Sequence, residues 1–163
     1  MLLNHVALQA GEAMYLGAGV PHCYLGGLGV ELMANSDNVL RCGLTPKHID
    51  VDELLRIVRF VPQEPQVLRP EAASDESEVY ATPVREFQLG RQLLSAGAAP
   101  RELTSQAPQI VLCTAGSARL TSRRGSADER ELSLAQGESA FIPASEPVLV
   151  TGRGTLFRAT VAC

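Results

Sequence analysis

Between Pro21 and Asp50 the sequence reads PHCYLGGLGVELMANSDNVLRCGLTPKHID, setting His22, Glu31, Asp37, Asn38, Arg41, Lys47 and His48 among glycines and small residues. A stretch that only fills a core repeats apolar residues at the period of a strand or a helix. This one puts an imidazole, a carboxylate, a guanidinium and an ammonium between turn formers, which is the composition of a site. His22 reads either as a divalent-metal ligand or as a hydrogen-bonded histidine of the fold. Zinc asks for three or four protein ligands, and His5 and His48 are the only other histidines. Glu31, in the apolar context Val30-Glu31-Leu32-Met33, reads as a partly buried carboxyl suited to general base work, or equally as an edge or salt-bridged glutamate. Asn35-Ser36-Asp37-Asn38 reads as a polar structural turn. Arg41 follows Val39-Leu40, which suggests a guanidinium held at a strand end and aimed into a cavity, where it could grip a phosphate or an enediolate through two parallel bonds. Lys47, after Gly43-Leu44-Thr45-Pro46, is a point charge for a phosphate or a solvated loop lysine.

The elements that must hold these residues are short. LLNHVAL, AMYLGAG, VYATPVREFQL, QIVLCTAGSARLTS, ESAFIPA, PVLVTG and TLFRATV are apolar runs broken by Gly and Pro, the pattern of an all-β sandwich or barrel. One helix is expected near 50–58, from a capping box of Asp50 with Glu53 and an apolar stripe of Val51, Leu54, Leu55 and Val58. Residues 61–78, rich in Pro and acidic residues, suit a linker or surface crossover. The chain also matches itself: LQAGEAMYLGAGVPH at 8–22 aligns without gaps with LAQGESAFIPASEPV at 134–148, with His22 opposite Val148. A Gly-Glu turn entering a strand with inward aromatic and aliphatic residues is a unit of double-stranded β-helix, or cupin, barrels.

At 163 residues and 45% hydrophobic content the chain can build one or two small globular units. A net charge of −4, with no basic run beyond Arg123-Arg124, argues against a nucleic-acid or anionic-membrane surface. No apolar run is long enough to span a bilayer and no signal peptide is expected. Cys23, Cys42, Cys113 and Cys163 form no CxxC pair, so a reduced, cytoplasmic protein is the expectation.

The string GEAMYLGAGVPHCYLGGLGVELMANSDNVLRCGLTPKHID resembles the signature region of type I mannose-6-phosphate isomerases, in its Pro-His step, its glutamate, and its Ser-Asp-Asn-Val and Thr-Pro-Lys series. The resemblance runs on through the helix, the linker, QIVLCTAGSARL and LAQGESAFIPASEP, so it covers the chain as the carboxyl-terminal portion of such an enzyme. It implies a mainly β fold with cupin-like double-stranded β-helix or jelly-roll elements and one short helix. Residues 1–60 would be the end of the catalytic cupin domain with its following helix, 61–78 the crossover, and 79–163 a carboxyl-terminal cupin-like β domain.

The implied activity interconverts mannose 6-phosphate and fructose 6-phosphate through a cis-enediol with one zinc ion. His22 stands at the family's late zinc histidine, Glu31 at an active-site glutamate, Arg41 at the catalytic arginine, and Lys47 at a lysine of the substrate's phosphate end. The family's other zinc ligands, a Gln-x-His pair and a further glutamate, belong to an amino-terminal portion with no counterpart before His22. Cys23 and Cys42 sit where the family often has alanine or another small residue. The expectation is a chain inactive alone, completed by the amino-terminal half or by a self-associated dimer, with 79–163 able to fold by itself. The alternative is a non-catalytic cupin-like binding or structural module. A sugar-responsive regulator or a nucleotide-sugar enzyme is weaker, because the later copy lacks His and no nucleotide-binding motif is present.

Overall fold

The computed structural model describes residues 3–36, 38–43, 45–73, 77–124 and 128–161. Asp37 and Leu44 of the polar stretch, residues 74–76 of the crossover, Cys163, and the side chains of Arg123 and Arg124 lie outside the described residues. The chain divides into two compact units, Met1–Arg69 and Pro70–Cys163. The division falls inside the Pro-rich stretch. Among the described residues no helix is long and apolar enough to cross a membrane.

Unit 1 holds β1 (Ala13–Met14), α1 (Val51–Ile57) and β2 (Val67–Leu68), with β1 and β2 paired antiparallel. The run LLNHVAL expected as a strand carries none over its described residues, and of AMYLGAG only Ala13 and Met14 are paired. An extended segment becomes a strand only where a neighbour takes its backbone hydrogen bonds. The helix begins as expected: Asp50 Oδ1 accepts from the Glu53 backbone N–H at 3.0 Å. The capping box is only half made, because the Glu53 carboxylate turns to Arg56 at 2.5 Å instead. The apolar stripe of the helix is only half covered: Leu54 and Val58 are half-buried, whereas Val51 is 56% and Leu55 61% exposed.

Unit 2 is an antiparallel β structure of β3 (Glu71–Ala72), β4 (Glu78–Tyr80), β5 (Gln88–Leu94), β6 (Arg101–Leu103), β7 (Gln109–Arg124), β8 (Asp128–Ala135), β9 (Ser139–Ile142) and β10 (Val148–Thr160). The strand order is β3-β4-β5-β10-β7-β8, with β6 on β10 and β9 on β7. The runs PVLVTG and TLFRATV fuse into the single strand β10, which pairs with β7 from Val148 to Ala159. Both long strands bend where they face each other at Gly116 and Gly154. A Cβ on Gly154 would lie 1.8 Å from the Ala115 carbonyl oxygen, and one on Gly116 1.9 Å from that of Arg153. Both have positive φ, at 148° and 70°. A register shift at Thr155/Leu156 follows the bend and lets each strand serve two faces of one core. That core gathers Leu94, Leu103, Val111, Cys113, Ala118, Leu120, Leu134, Ile142, Val148, Val150 and Leu156. Each fully buried Leu or Val among them contributes about 1.5–3 kcal/mol.

The internal match of 8–22 with 134–148 is a match of backbone. Glu12 N–H donates to the Gln9 carbonyl at 2.9 Å and Glu138 N–H to that of Ala135 at 3.0 Å. The two glutamates return the same favour, Glu12 Oε2 accepting from Gln9 N–H at 2.9 Å and Glu138 Oε2 from Ala135 N–H at 2.8 Å. Gly11 and Gly137 hold φ of 90° and 88° at the equivalent turn position. A second turn repeats too: Val20 N–H meets the Gly17 carbonyl and Glu146 N–H that of Pro143, each at 3.3 Å, with Gly19 at φ 79° and Ser145 at φ 59°.

Gly154→Ala is expected to lower unit 2 stability by more than the roughly 1–3 kcal/mol of a left-handed backbone alone, because the methyl meets carbonyl oxygen. Gly137→Ala, whose Cβ would touch nothing within 4 Å, should show only that backbone cost. Urea unfolding midpoints of the two variants check the difference, and equal losses would contradict it.

Candidate functional site

The site stretch follows the second repeated turn of unit 1. Arg59 N–H, just past the end of α1, donates to the Gly19 carbonyl at 2.9 Å. A Cβ at Gly19 would come within 2.8 Å of the Ile57 carbonyl oxygen, so the helix end and the turn approach as closely as a glycine permits. This turn presents the Val20 carbonyl, which lies 3.0 Å from His22 Nδ1. A carbonyl oxygen only accepts, so Nδ1 carries the proton and Nε2 keeps its lone pair for a Lewis acid or a proton.

Tyr24 extends the arrangement. Its ring stands edge-on to the His22 imidazole, with centroids 5.9 Å apart and planes at 67°. Its hydroxyl donates to Glu31 Oε1 at 2.7 Å. Burial of the hydroxyl, and after it the hydrogen bond to Glu31 and that carboxylate's charge, push the Tyr24 phenol up to about 12. With 73% of the residue exposed, the hydrogen bond is the part that solvent screens least. Tyr24 therefore stays protonated through the physiological range and holds the Glu31 carboxylate as a donor. No role was expected for this residue; the available signal was an aromatic two positions past a histidine in a glycine-rich loop.

The structure thus brings together His22 and Glu31 through Tyr24 and leaves the two cations apart from them. Neither the Arg41 guanidinium nor the Lys47 ammonium meets a hydrogen-bonding or ionic partner among the described residues, and both residues are exposed. The Lys47 backbone N–H donates to Thr45 Oγ1 at 3.2 Å, and Ser36 Oγ to Asn38 Oδ1 at 2.9 Å, so the polar turn bonds to itself as expected. The expected partial burial of Glu31 and the cavity for Arg41 are not found in unit 1, where no described residue is buried. Leu25, Leu28, Phe60 and Val61, at 62–90% exposure, are apolar surface of the kind that would wall such a cavity.

His22 is fit to be one metal ligand, by its fixed tautomer and open Nε2. Among the described residues no group of three His, Cys, Asp or Glu side chains could complete a metal site around it. Cys23 and Cys42 are free, exposed thiols.

No family model matches the chain. It is 43% identical to the mannose-6-phosphate isomerase of Escherichia coli K12 over 160 residues, which are 97% of this chain and 39% of that protein. Against the mannose-6-phosphate isomerase of Rattus norvegicus it is 36% identical over 156 residues, 91% of this chain and 36% of the relative. The solved structure of the Salmonella typhimurium mannose 6-phosphate isomerase bound to fructose 6-phosphate and zinc matches with a TM-score of 0.64 at 37% identity, covering 80% of this chain and 32% of that one. The chain spans about two-fifths of the length of the E. coli relative. The match lies in the carboxyl-terminal portion of these enzymes, and the mainly β, antiparallel fold is that of their cupin architecture.

The Tyr24–Glu31 hydrogen bond has a pH signature. A phenol raised from 10 to about 12 adds stability that is complete below pH 10 and lost as pH rises towards 12. The ultraviolet titration assigned to Tyr24, by difference from Tyr24→Phe, should move back towards pH 10 in Glu31→Gln. An unchanged titration would remove Glu31 as its partner.

Proposed function

We propose, from the premise of this similarity to the carboxyl-terminal portion of mannose-6-phosphate isomerases, that the chain contributes that portion of a zinc-dependent aldose–ketose isomerase acting on mannose 6-phosphate and fructose 6-phosphate. The observation that carries the reading is the hydrogen-bonded series Val20–His22 and Tyr24–Glu31, which fixes an imidazole tautomer and a carboxylate within one loop. The reaction moves a proton between C2 and C1 of the open-chain sugar through a cis-enediol. It needs a base, a group for the developing oxyanion, and an anchor for the phosphate.

Glu31 is the acid–base group, its carboxylate oriented by the Tyr24 hydroxyl. Arg41 donates N–H groups to the enediolate oxygens, and Lys47 meets the phosphate with a point charge. The exposure of both cations is consistent with a binding wall supplied by other chain. One zinc ion, with His22 Nε2 among its ligands, would polarise the sugar oxygens when bound. The remaining ligands come from outside the described residues.

The partner that completes the site is polypeptide corresponding to the amino-terminal portion of the relatives. Unit 1 supports this by its uncovered apolar side chains, Leu25, Leu28, Val51, Leu55, Phe60 and Val61, each more than half exposed. A self-associated dimer would cover the same surface without supplying the Gln-x-His ligands. Net charge and the absence of a basic run give no support to a nucleic-acid or membrane role. Two exposed free thiols, Cys23 and Cys42, suit a reducing cytoplasm. The second reading, a non-catalytic cupin-like module, is favoured by one observation: no three-residue ligand group occurs among the described residues.

Mixing the 163-residue chain with the amino-terminal three-fifths of the E. coli relative and zinc should yield chelator-sensitive conversion of mannose 6-phosphate to fructose 6-phosphate, with none from either part alone. Activity of the chain alone would overturn the incomplete-site account, and no activity from a folded, associated mixture would favour the non-catalytic module. Within an active mixture, Arg41→Ala should lower turnover by about 10²–10³-fold while zinc stays bound. His22→Ala should instead lower the zinc content, measured by metal analysis.

A further inference from the structure

We infer that Gly19 is a positioning residue for the His22 imidazole: by carrying no side chain it lets the end of α1 clasp the turn that sets which ring nitrogen of His22 is free. The inference rests on the reading of His22 as a metal ligand and names what aims it. The site stretch leaves this turn at Pro21 and returns to it through α1, where Arg59 N–H donates to the Gly19 carbonyl at 2.9 Å. Val20 N–H donates to the Gly17 carbonyl at 3.3 Å. Both polar atoms of the Gly19–Val20 peptide are therefore engaged, one by the helix end and one by the turn. Only the Val20 dihedrals stand between this anchored plane and the Val20 carbonyl, and Pro21 confines Val20 to extended conformations. The carbonyl 3.0 Å from His22 Nδ1 is thus aimed from the clasp.

The second copy of the turn shows that glycine is not required by the turn itself. Ser145, at the equivalent position, holds φ 59° with a side chain in place, against 79° at Gly19, and the Glu146–Pro143 hydrogen bond matches that of Val20 with Gly17. What differs is the tether. Ser145 N–H donates to the Ser105 carbonyl at 2.9 Å, and its hydroxyl to Gln106 Oε1 at 3.2 Å. At Gly19 a Cβ would lie 2.8 Å from the Ile57 carbonyl oxygen and 3.2 Å from Arg59 Cγ. The Ile57 oxygen belongs to the backbone and cannot swing aside. The copy that ends on Val148 puts a side chain where the copy that ends on His22 puts a helix end.

The consequence for chemistry is the choice of nitrogen. A neutral imidazole carries one proton on either nitrogen, and the hydrogen bond made by one decides which is left to bind a metal. Without an aimed Val20 carbonyl, the ring no longer reserves Nε2.

The test is the tautomer of His22 in the 163-residue chain, read from long-range ¹H–¹⁵N spectra of ¹⁵N-histidine protein at alkaline pH, with His22 assigned by His22→Gln. Gly19→Ser adds the Cβ that the other turn accepts. Arg59→Pro deletes the donor and leaves the glycine in place, and Val58, at φ −65° and ψ 134°, already has the backbone that precedes proline. Wild-type His22 should carry its proton on Nδ1. Both variants should move it to a mixture of tautomers, with His5 and His48 unmoved and the Leu54 amide keeping its helical shift. In the chain mixed with the amino-terminal portion of the E. coli relative, zinc should bind about 10–100-fold more weakly in both variants. His22 still protonated on Nδ1 in either variant, or unchanged zinc affinity, would overturn the inference. So would a loss of amide dispersion across unit 1, which would make the clasp a requirement of folding. A failed isomerase reading shows separately, as a wild-type mixture that holds no zinc, and the tautomer then decides the clasp.

Discussion

The approach of β7 to β10 at Gly116 and Gly154 is the constraint on which unit 2 rests. A carbonyl oxygen crowds the place where each of those residues would carry a Cβ, so the two long antiparallel strands can pair with their backbones in close contact and take a bulge there. The bend divides each strand into two stretches, and the inward residues of both, from Val111 and Cys113 to Ala118 and Leu120, share one core with Val148, Val150 and Leu156. Gly152, where a Cβ would lie 2.3 Å from the Ser117 carbonyl oxygen, extends the same close contact. With side chains at these positions the strands would be held apart and the two halves of the core could not meet.

The two units share local structure and differ in what surrounds it. The turns around Gly11 and Gly137 have the same hydrogen bonds, including the same glutamate return, and so do those around Gly19 and Ser145. After the second turn the paths differ. Val148 enters β10 and is buried against β6 and β7, whereas His22 at the equivalent place enters an extended, exposed loop. A turn is set by a few adjacent residues and forms in either context, while a strand needs a neighbour to take its backbone groups. This difference leaves the imidazole accessible for chemistry, with Tyr24 and Glu31 joined beside it by a single hydrogen bond.

What depended on local chemistry was legible in the sequence. The Gly-Glu turns, the Asp50 cap and the mainly β architecture follow from residue types at fixed spacing. The repeat aligned because the same backbone conformation demands glycine at positions 11 and 137. What depended on distant partners was not legible. The fusion of PVLVTG with TLFRATV turned on the close approach of Gly152 and Gly154 to β7, where Gly116 faces Gly154, and the Tyr24–Glu31 bond turned on how a glycine-rich loop folds back over seven residues. Burial of Glu31 and a cavity around Arg41 were expected from apolar neighbours in sequence, yet those neighbours themselves lack cover in unit 1. Resemblance gave the site residues their roles; among the described residues a ring contact and a hydrogen bond join His22, Tyr24 and Glu31.

The central claim is that unit 1 carries site residues whose ordered environment comes from another polypeptide. Hydrogen–deuterium exchange of the chain, alone and mixed with the amino-terminal portion of the E. coli relative, tests it most directly. The account predicts that amides of β7 and β10 are protected in both samples, whereas those from Val20 to Lys47 exchange rapidly in the chain alone and become protected on mixing. Strong protection of that stretch in the chain alone, or no gain on mixing, would contradict it.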